Sequence, residues 1–261
     1  MSPTFSRIDG VPRVRLDEPD WASVVAATGV PAAALGALTP LTAADDAEAD
    51  PTMVAAAALA LGSARVRVDV TTVSGDRGVV ASLGSDGTTS AIAHRILVLP
   101  GGGEPTRLAP GVELSVLDQR HLLIEVMRLV PPDPPLAPDD PGPVVALPHT
   151  DALVLTEAVR SGDDAVARQV ATEQGWDEVP PVLEALADEV RANVTVALRV
   201  EGRETVVLRR WLQTELGWVG LAITDGEAVH TPCTREGLAD ELLYSLTGAF
   251  ETALAGAGLD G

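Results

Sequence analysis

The segment from Arg191 to Phe250 most constrains the fold, because it contains a complete pattern of four strands and a helix. Residues 191–200 alternate apolar and polar side chains, as a strand with one buried face does. Two further strands follow, and Asp225-Gly226 suits the positive-φ positions of a tight hairpin before a short strand at Ala228–Thr231. Thr234 then caps a helix whose apolar positions recur at helical spacing. The segment predicts an antiparallel meander packed against a helix.

A similar pattern occurs earlier in the chain. Valines alternate from residue 66 to 73, two further strands end at the loop Gly101-Gly102-Gly103, and a helix is predicted from Asp118. Val66 matches Val194 and Leu83 matches Trp211 at one constant offset. We therefore predict an α+β fold of two pseudo-two-fold-related halves, each an antiparallel β-meander packed against helices.

Proline marks the boundary between the halves. Residues 131–143 are so rich in proline that helix and central strand are excluded, which predicts an extended linker. The predicted domains are residues 1–130, with the first repeat from about 52, and residues 144–261, with the second repeat from about 180. A strand is predicted at Val144–Leu147, followed by a block of helices without a clear counterpart in the first half. Val11, Val14 and Leu16 predict an edge strand near the N-terminus.

Charge excludes two kinds of partner. The net charge is −20, and every cationic side chain is arginine, because the sequence contains no lysine. Nucleic acids and anionic membranes would repel such a surface. No apolar run is long enough for a membrane span, and no basic start precedes an apolar core, so we expect a cytoplasmic protein. The bias toward Ala, Arg, Gly and Pro is typical of a high-GC genome, such as an actinobacterial one.

Residues that could carry chemistry are few. The triple glycine is followed by neither the lysine nor the later glycine of a phosphate-binding loop, and the four histidines form no metal-ligand pair. We expect no cofactor and no metal. The alternative is a thiol-dependent enzyme, since Cys233 lies near His230 at a strand-to-helix junction. A lone cysteine is more often structural, and no signature of a cysteine hydrolase surrounds it.

The aromatic residues indicate a partner-binding surface. Three of the four tryptophans, Trp176, Trp211 and Trp218, lie in the second half. Each could pack in the core, but a meander covered by helix on one face leaves its other face for solvent or a partner. The predicted partner-binding residues are Trp211, Trp218, Leu221, Arg209 and Arg210. A homo-oligomer that uses the sheet edge or this face is a further alternative.

The layout resembles a known family. The order of helix, meander and helix, the junction Met127–Pro135 and the following Val144–Pro148 are similar to the EspG family of type VII (ESX) secretion-associated proteins, over about Thr52 to Phe250. The resemblance implies a cytosolic, non-enzymatic chaperone with quasi-two-fold α/β architecture. Such chaperones bind the apolar tip of PE–PPE heterodimers and deliver them to the secretion machinery. The Ser90–Leu99 strand and the triple glycine depart from the family pattern.

Overall fold

A computed structural model describes residues 4–8, 10–44, 48–100, 106–135, 137–203 and 206–257. Its strands are β1 Thr4–Ile8, β2 Val11–Leu16, β3 Val66–Ser74, β4 Arg77–Ser85, β5 Thr89–Val98, β6 Arg107–Leu108, β7 Val112–Asp118, β8 Val145–Pro148, β9 Ala192–Val200, β10 Val206–Thr214, β11 Gly217–Thr224 and β12 Glu227–Cys233. Its α-helices are α1 Glu18–Thr28, α2 Pro51–Leu61, α3 Leu122–Arg128, α4 His149–Ser161, α5 Asp164–Glu173, α6 Pro181–Asp188 and α7 Arg235–Ala257. Each strand pairing with a described register is antiparallel. The predicted α+β class is confirmed.

The chain divides into two compact units. The first comprises Met1–Val130, Val196–Leu208 and Leu242–Gly261, and the second comprises Pro131–Thr195 and Arg209–Glu241. The division at the proline-rich stretch into domains 1–130 and 144–261 remains a prediction.

In the first unit, strands β1-β2-β7-β5-β4-β3 are neighbours in that order. β2 lies between β1 and β7, so the predicted edge position of Val11–Leu16 is wrong. The reason is that Thr4–Ile8 forms a further strand outside it. Helices α1 and α2 contribute Trp21, Ala57 and Leu61, all 0% exposed, to a core that includes residues of β2, β5 and β7. α2 packs so closely on β4 that a Cβ on Gly84 would lie 1.9 Å from the Leu59 carbonyl oxygen.

A buried ion pair links α1 to β5 in this unit. Asp17 caps α1, and Glu18 in the first turn is 6% exposed. Glu18 Oε1 accepts hydrogen bonds from Arg95 Nη2 at 2.9 Å and from the Leu41 N–H at 2.6 Å. Glu18 Oε2 accepts from the Gly111 N–H at 2.6 Å. Both oxygens are therefore satisfied, as burial of a carboxylate requires.

The second unit contains β11, β12 and β8 as neighbours, with the Arg209–Thr214 part of β10 beside β11. Asp225 and Gly226 have φ of 53° and 85° between the paired Thr224 and Glu227, which confirms the predicted tight hairpin. Helices α4, α5 and α6 pack with β8 in an apolar cluster around Leu147, Leu155 and Val170. Gly162, at φ 72°, ends α4.

The order of elements repeats more fully than the sequence indicated. Each series consists of a strand, a block of helices, four meander strands and a final helix. The first series is β2, α1 and α2, then β3, β4, β5 and β7, then α3. The second series is β8, α4 to α6, then β9 to β12, then α7. In each series the leading strand pairs with the last meander strand, β2 with β7 and β8 with β12. The helical block after β8 therefore has a counterpart in α1 and α2, which the sequence analysis missed because the two blocks share no apolar pattern.

The described part of the proline-rich stretch is attached by polar contacts within the second unit. Gln213 Nε2 donates to the Pro132 carbonyl oxygen at 2.7 Å. The Arg235 N–H donates to Asp133 Oδ1 at 3.1 Å, and Arg235 Nε donates to the Pro131 carbonyl oxygen at 3.2 Å. Proline carbonyl groups accept hydrogen bonds although proline nitrogen cannot donate one.

Candidate protein-binding surface

Two of the five predicted partner-binding residues are buried. Trp211 is 0% and Trp218 is 1% exposed, so neither indole offers a surface, contrary to the expectation of exposed aromatic rings. The register pairs Trp211 with Gly220 and Gln213 with Trp218, which places both indoles on one face of the β10–β11 ladder. Helix α7 meets this face, where Trp211 Nε1 donates to Glu241 Oε2 at 3.2 Å.

Glycine makes room for one of these indoles. A Cβ on Gly220 would lie 3.4 Å from Trp211 Cδ1 and Nε1, at the short end of ordinary van der Waals contact. The cross-strand partner of Trp211 is thus a residue without a side chain, and the ring packs over it. Trp211 is therefore enclosed between the backbone of β11 and helix α7 on the same face of the sheet.

The remaining three predicted residues reach solvent to different degrees. Arg209 is half-buried and forms an ion pair with Glu241 at 3.0 Å. Arg210 is exposed and lies directly opposite the half-buried Leu221. Ile223, two residues further along the same face of β11, is 68% exposed. We call Arg210, Leu221 and Ile223 the hairpin patch.

A second exposed apolar set lies in the first unit, at the start of β10. Val206, Val207 and Leu208 are 43%, 37% and 62% exposed. Consecutive strand residues point to opposite faces, so this strand start is uncovered on both faces. We call these three residues the strand-start patch. The signal available in the sequence was an uninterrupted apolar run without the alternation of a half-buried strand.

Cys233 and His230 do not form a catalytic pair. Cys233 is paired with Trp218 and His230 with Leu221, and two residues lie between them along β12, so their side chains leave opposite faces. Burial, and then the charge of Glu241, raises the pKa of Cys233 to about 11, which keeps the thiol protonated near neutral pH. Burial lowers the pKa of His230. The geometry offers no activated thiolate.

Other candidate features are structural or lie outside the described residues. Within the described ranges, no group of three His, Cys, Asp or Glu side chains is placed to hold a metal ion. The triple glycine at 101–103 and the acidic pair at 45–46 lie outside those ranges. Asp163 caps α5, as its Oδ1 accepts from the Val166 N–H at 3.2 Å. Among the described helices, none combines the length and apolar character needed to cross a bilayer.

The fold, unlike the sequence, matches known proteins. No family model and no curated protein matches the sequence. Among solved structures, the chain is similar to the Mycobacterium tuberculosis type VII secretion system chaperone EspG5, determined in complex with the PE25–PPE41 dimer. The two chains are 11% identical and superpose with a TM-score of 0.56, over 87% of this chain and 93% of the chaperone. This likeness shows that the two share a fold, and the structural part of the predicted resemblance is confirmed.

Proposed function

We propose that this protein is a cytoplasmic, non-enzymatic chaperone of a type VII secretion system that binds the apolar tip of a PE–PPE-type heterodimer. The observation that carries the proposal is the shared fold over 87% of this chain and 93% of a chaperone solved with such a dimer. Stoichiometric masking of an apolar partner surface needs no catalytic group. The separation of Cys233 from His230 across β12 agrees with that role.

Exposed aliphatic residues supply surfaces of the required chemistry. Ile223 in the hairpin patch and Leu208 in the strand-start patch are 68% and 62% exposed. Apolar side chains clustered at an exposed position are typical of protein interfaces, where their burial against a partner stabilises the complex. Arg210 borders Leu221 in the hairpin patch and provides a polar rim for an acceptor on the partner.

Co-purification tests the proposal. The tagged chain is co-expressed with a panel of PE–PPE pairs from the same genome, and a stable ternary complex with at least one pair is expected by size-exclusion chromatography with light scattering. If no pair in the complete panel is retained, the proposed function is wrong. The same measurement on the chain alone, at several concentrations, distinguishes a monomeric chaperone from the homo-oligomer alternative.

Matched aspartate variants locate the binding surface. Ile223→Asp is expected to weaken partner binding by on the order of 30-fold, the cost of losing an interface hot spot of about 2 kcal/mol. Leu153→Asp is the control, because Leu153 is 60% exposed on α4 and lies outside both patches. Leu208→Asp and the similarly exposed Leu254→Asp form the same comparison for the strand-start patch. Equal effects of a patch variant and its control would exclude that patch from the interface.

A further inference from the structure

The first unit carries two exposed arginines on one face of its sheet. The strand register places Arg77 on β4 and Arg107 on β6 directly on either side of Val98 on β5. Residues paired across antiparallel strands share a face, and neighbouring strands lie about 4.8 Å apart, so the two arginine Cα atoms are about 10 Å apart. Val98 is half-buried between them.

A third exposed arginine belongs to the same face, further along the sheet. Arg15 on β2 is paired with Glu113, and Glu113 is paired with His94 on β5. His94 precedes Val98 by four residues, so the row of Arg15 lies on the same face, about 13 Å from the first row along the strands. Ile96 lies between the two rows and is 37% exposed. We call the following five residues the arginine patch: Arg15, Arg77, Ile96, Val98 and Arg107.

The patch is locally positive although the chain is strongly acidic. Among the residues that the structure describes, none of its three arginines forms an ion pair. Glu113, in the row of Arg15, is already bound by Arg128 Nη2 at 3.1 Å, so its charge is compensated. Asp76, in the turn before Arg77, contributes one negative charge. Three arginines therefore exceed the acidic groups of this region in a chain whose net charge is −20.

We propose that the arginine patch binds an extended, acidic segment of a partner polypeptide. Carboxylates of the segment contact the arginines, whose planar guanidinium groups suit this pairing, and an aliphatic side chain between them covers Ile96. By strand spacing, the Cα atoms of Arg15 and Arg107 are roughly 14 Å apart, and four residues of extended chain span about 13 Å. A segment with carboxylates at positions i and i+4 and an aliphatic residue at i+2 matches both rows and the apolar centre.

Charge and chemistry favour a polypeptide over a nucleic acid. DNA carries about one charge per 1.7 Å and continues past the patch, where the acidic remainder of the chain repels it. A segment with two carboxylates needs only the patch itself, because charges more than about 10 Å away are screened at 0.1 M salt. A phosphate backbone also offers no aliphatic group for Ile96. The patch shares no residue with the hairpin patch or the strand-start patch, so this inference goes beyond the proposed chaperone role.

Nuclear magnetic resonance on the ¹⁵N-labelled full-length chain tests the patch without a PE–PPE pair. The probe is a synthetic peptide in which two glutamates flank a leucine, with one serine on each side of the leucine. We expect saturable shifts of the Ile96, Val98 and Arg107 amide signals at low ionic strength, with half-saturation on the order of 0.1–1 mM. Added salt should weaken this binding. The matched peptide with glutamine in place of glutamate should not saturate these shifts.

Arginine variants show whether the charges carry the binding. Arg77→Gln combined with Arg107→Gln should weaken peptide binding on the order of 10-fold. The control combines Arg65→Gln with Arg203→Gln, which removes the same charge from two exposed arginines of the first unit outside the patch. Arg65 precedes β3, whereas Arg77 is paired with Ser74 at the other end of that strand. The control should bind the peptide like the unmodified chain.

The proposal is overturned if the glutamine peptide binds as tightly as the glutamate peptide, or if both double variants lose the same affinity. Tighter binding of a short single-stranded oligonucleotide of equal charge would assign the patch to a nucleic acid instead. Self-association without peptide that only the patch variant removes would assign the patch to a second copy. The shift map and the two peptides use the unmodified chain, so they decide the question even if a variant does not fold. None of these outcomes bears on the chaperone role, since no PE–PPE pair is present.

Discussion

Replacing Glu18 by glutamine is expected to destabilise the first unit strongly, although the two side chains have nearly the same shape. Glutamine carries no charge, so the guanidinium of Arg95, whose side chain is 0% exposed, loses its ion-pair partner. Glutamine also replaces one oxygen by an NH₂ group. At least one of the donors now facing Glu18, the N–H of Leu41 or of Gly111, would then face another donor.

The size of the effect follows from these losses. Removing one partner of a buried ion pair costs about 3–5 kcal/mol, and an unsatisfied buried N–H costs about 1–3 kcal/mol. The two terms belong to one network and do not add, so we expect about 4 kcal/mol. This is a large part of the roughly 5–15 kcal/mol that stabilises a native protein. At about 2–4 °C for each kcal/mol in a chain of this size, the melting temperature should fall by about 8–16 °C.

Thermal unfolding followed by circular dichroism measures the effect, with Glu184→Gln as the control. Glu184 lies in the first turn of α6, as Glu18 lies in the first turn of α1, but it is exposed. Both variants lose the same favourable interaction with a helix N-terminus, and Glu184→Gln should change stability by no more than about 0.5 kcal/mol. Hydrogen exchange at the amides of Leu41 and Gly111 gives a local readout, which should accelerate only in Glu18→Gln. Equal melting temperatures for the two variants would refute the reasoning.

Three further predictions concern single residues. Gly84→Ala should lower the free energy of unfolding, measured by chemical denaturation, by about 1–3 kcal/mol, because the new Cβ would lie 1.9 Å from the Leu59 carbonyl oxygen. Gly248→Ala on α7 is the control. Its Cβ would meet nothing within 4 Å, so this variant should raise the free energy of unfolding by about 1 kcal/mol. At pH 8, iodoacetamide should alkylate Cys233 on the order of 100-fold more slowly in the folded chain than in the unfolded chain, because folding raises the pKa of the thiol from 9.0 to about 11. Equal alkylation rates in the two states would contradict this prediction. Burial lowers the pKa of His94 from 6.5 to about 4, so the unfolded chain binds the proton more readily and stability should fall as pH falls from 6.5 through 4. A His94→Gln variant that shows the same pH dependence would exclude His94 as its source.

Features fixed by neighbouring residues could be predicted from the sequence. The alternation in β3 leaves Val66, Val68 and Val70 buried at 0–1% exposure. The hairpin at Asp225-Gly226 needs positive φ at both positions, which this dipeptide tolerates. Thr234 caps α7 as expected, since its Oγ1 accepts from the Gly237 N–H at 3.1 Å. These signals are local, and tertiary packing does not change them.

The candidate site could be predicted only in part, because exposure depends on which helix covers which strand. The sequence located Arg210 and Leu221 on the meander correctly as partly solvent-exposed residues, but it did not show that α7 would cover Trp211. Nor did it show that this indole would lie over Gly220, its partner in the neighbouring strand. Ile223 was not singled out from the sequence, although it is 68% exposed and more accessible than Leu221 in the same hairpin patch.

The net charge bears on what covers the exposed patches. The buried arginines Arg13 and Arg95 pair with the buried carboxylates of Glu125 and Glu18, so these pairs are neutral and the excess charge of −20 stays with the rest of the chain. If two copies associated through Ile223 or Leu208, two chains that each carry this excess negative charge would be brought close together. Their mutual repulsion acts against self-association at low ionic strength. A different polypeptide with an apolar tip and a less acidic surround meets no such penalty. The charge therefore favours a heterologous partner over a second copy as the occupant of these patches.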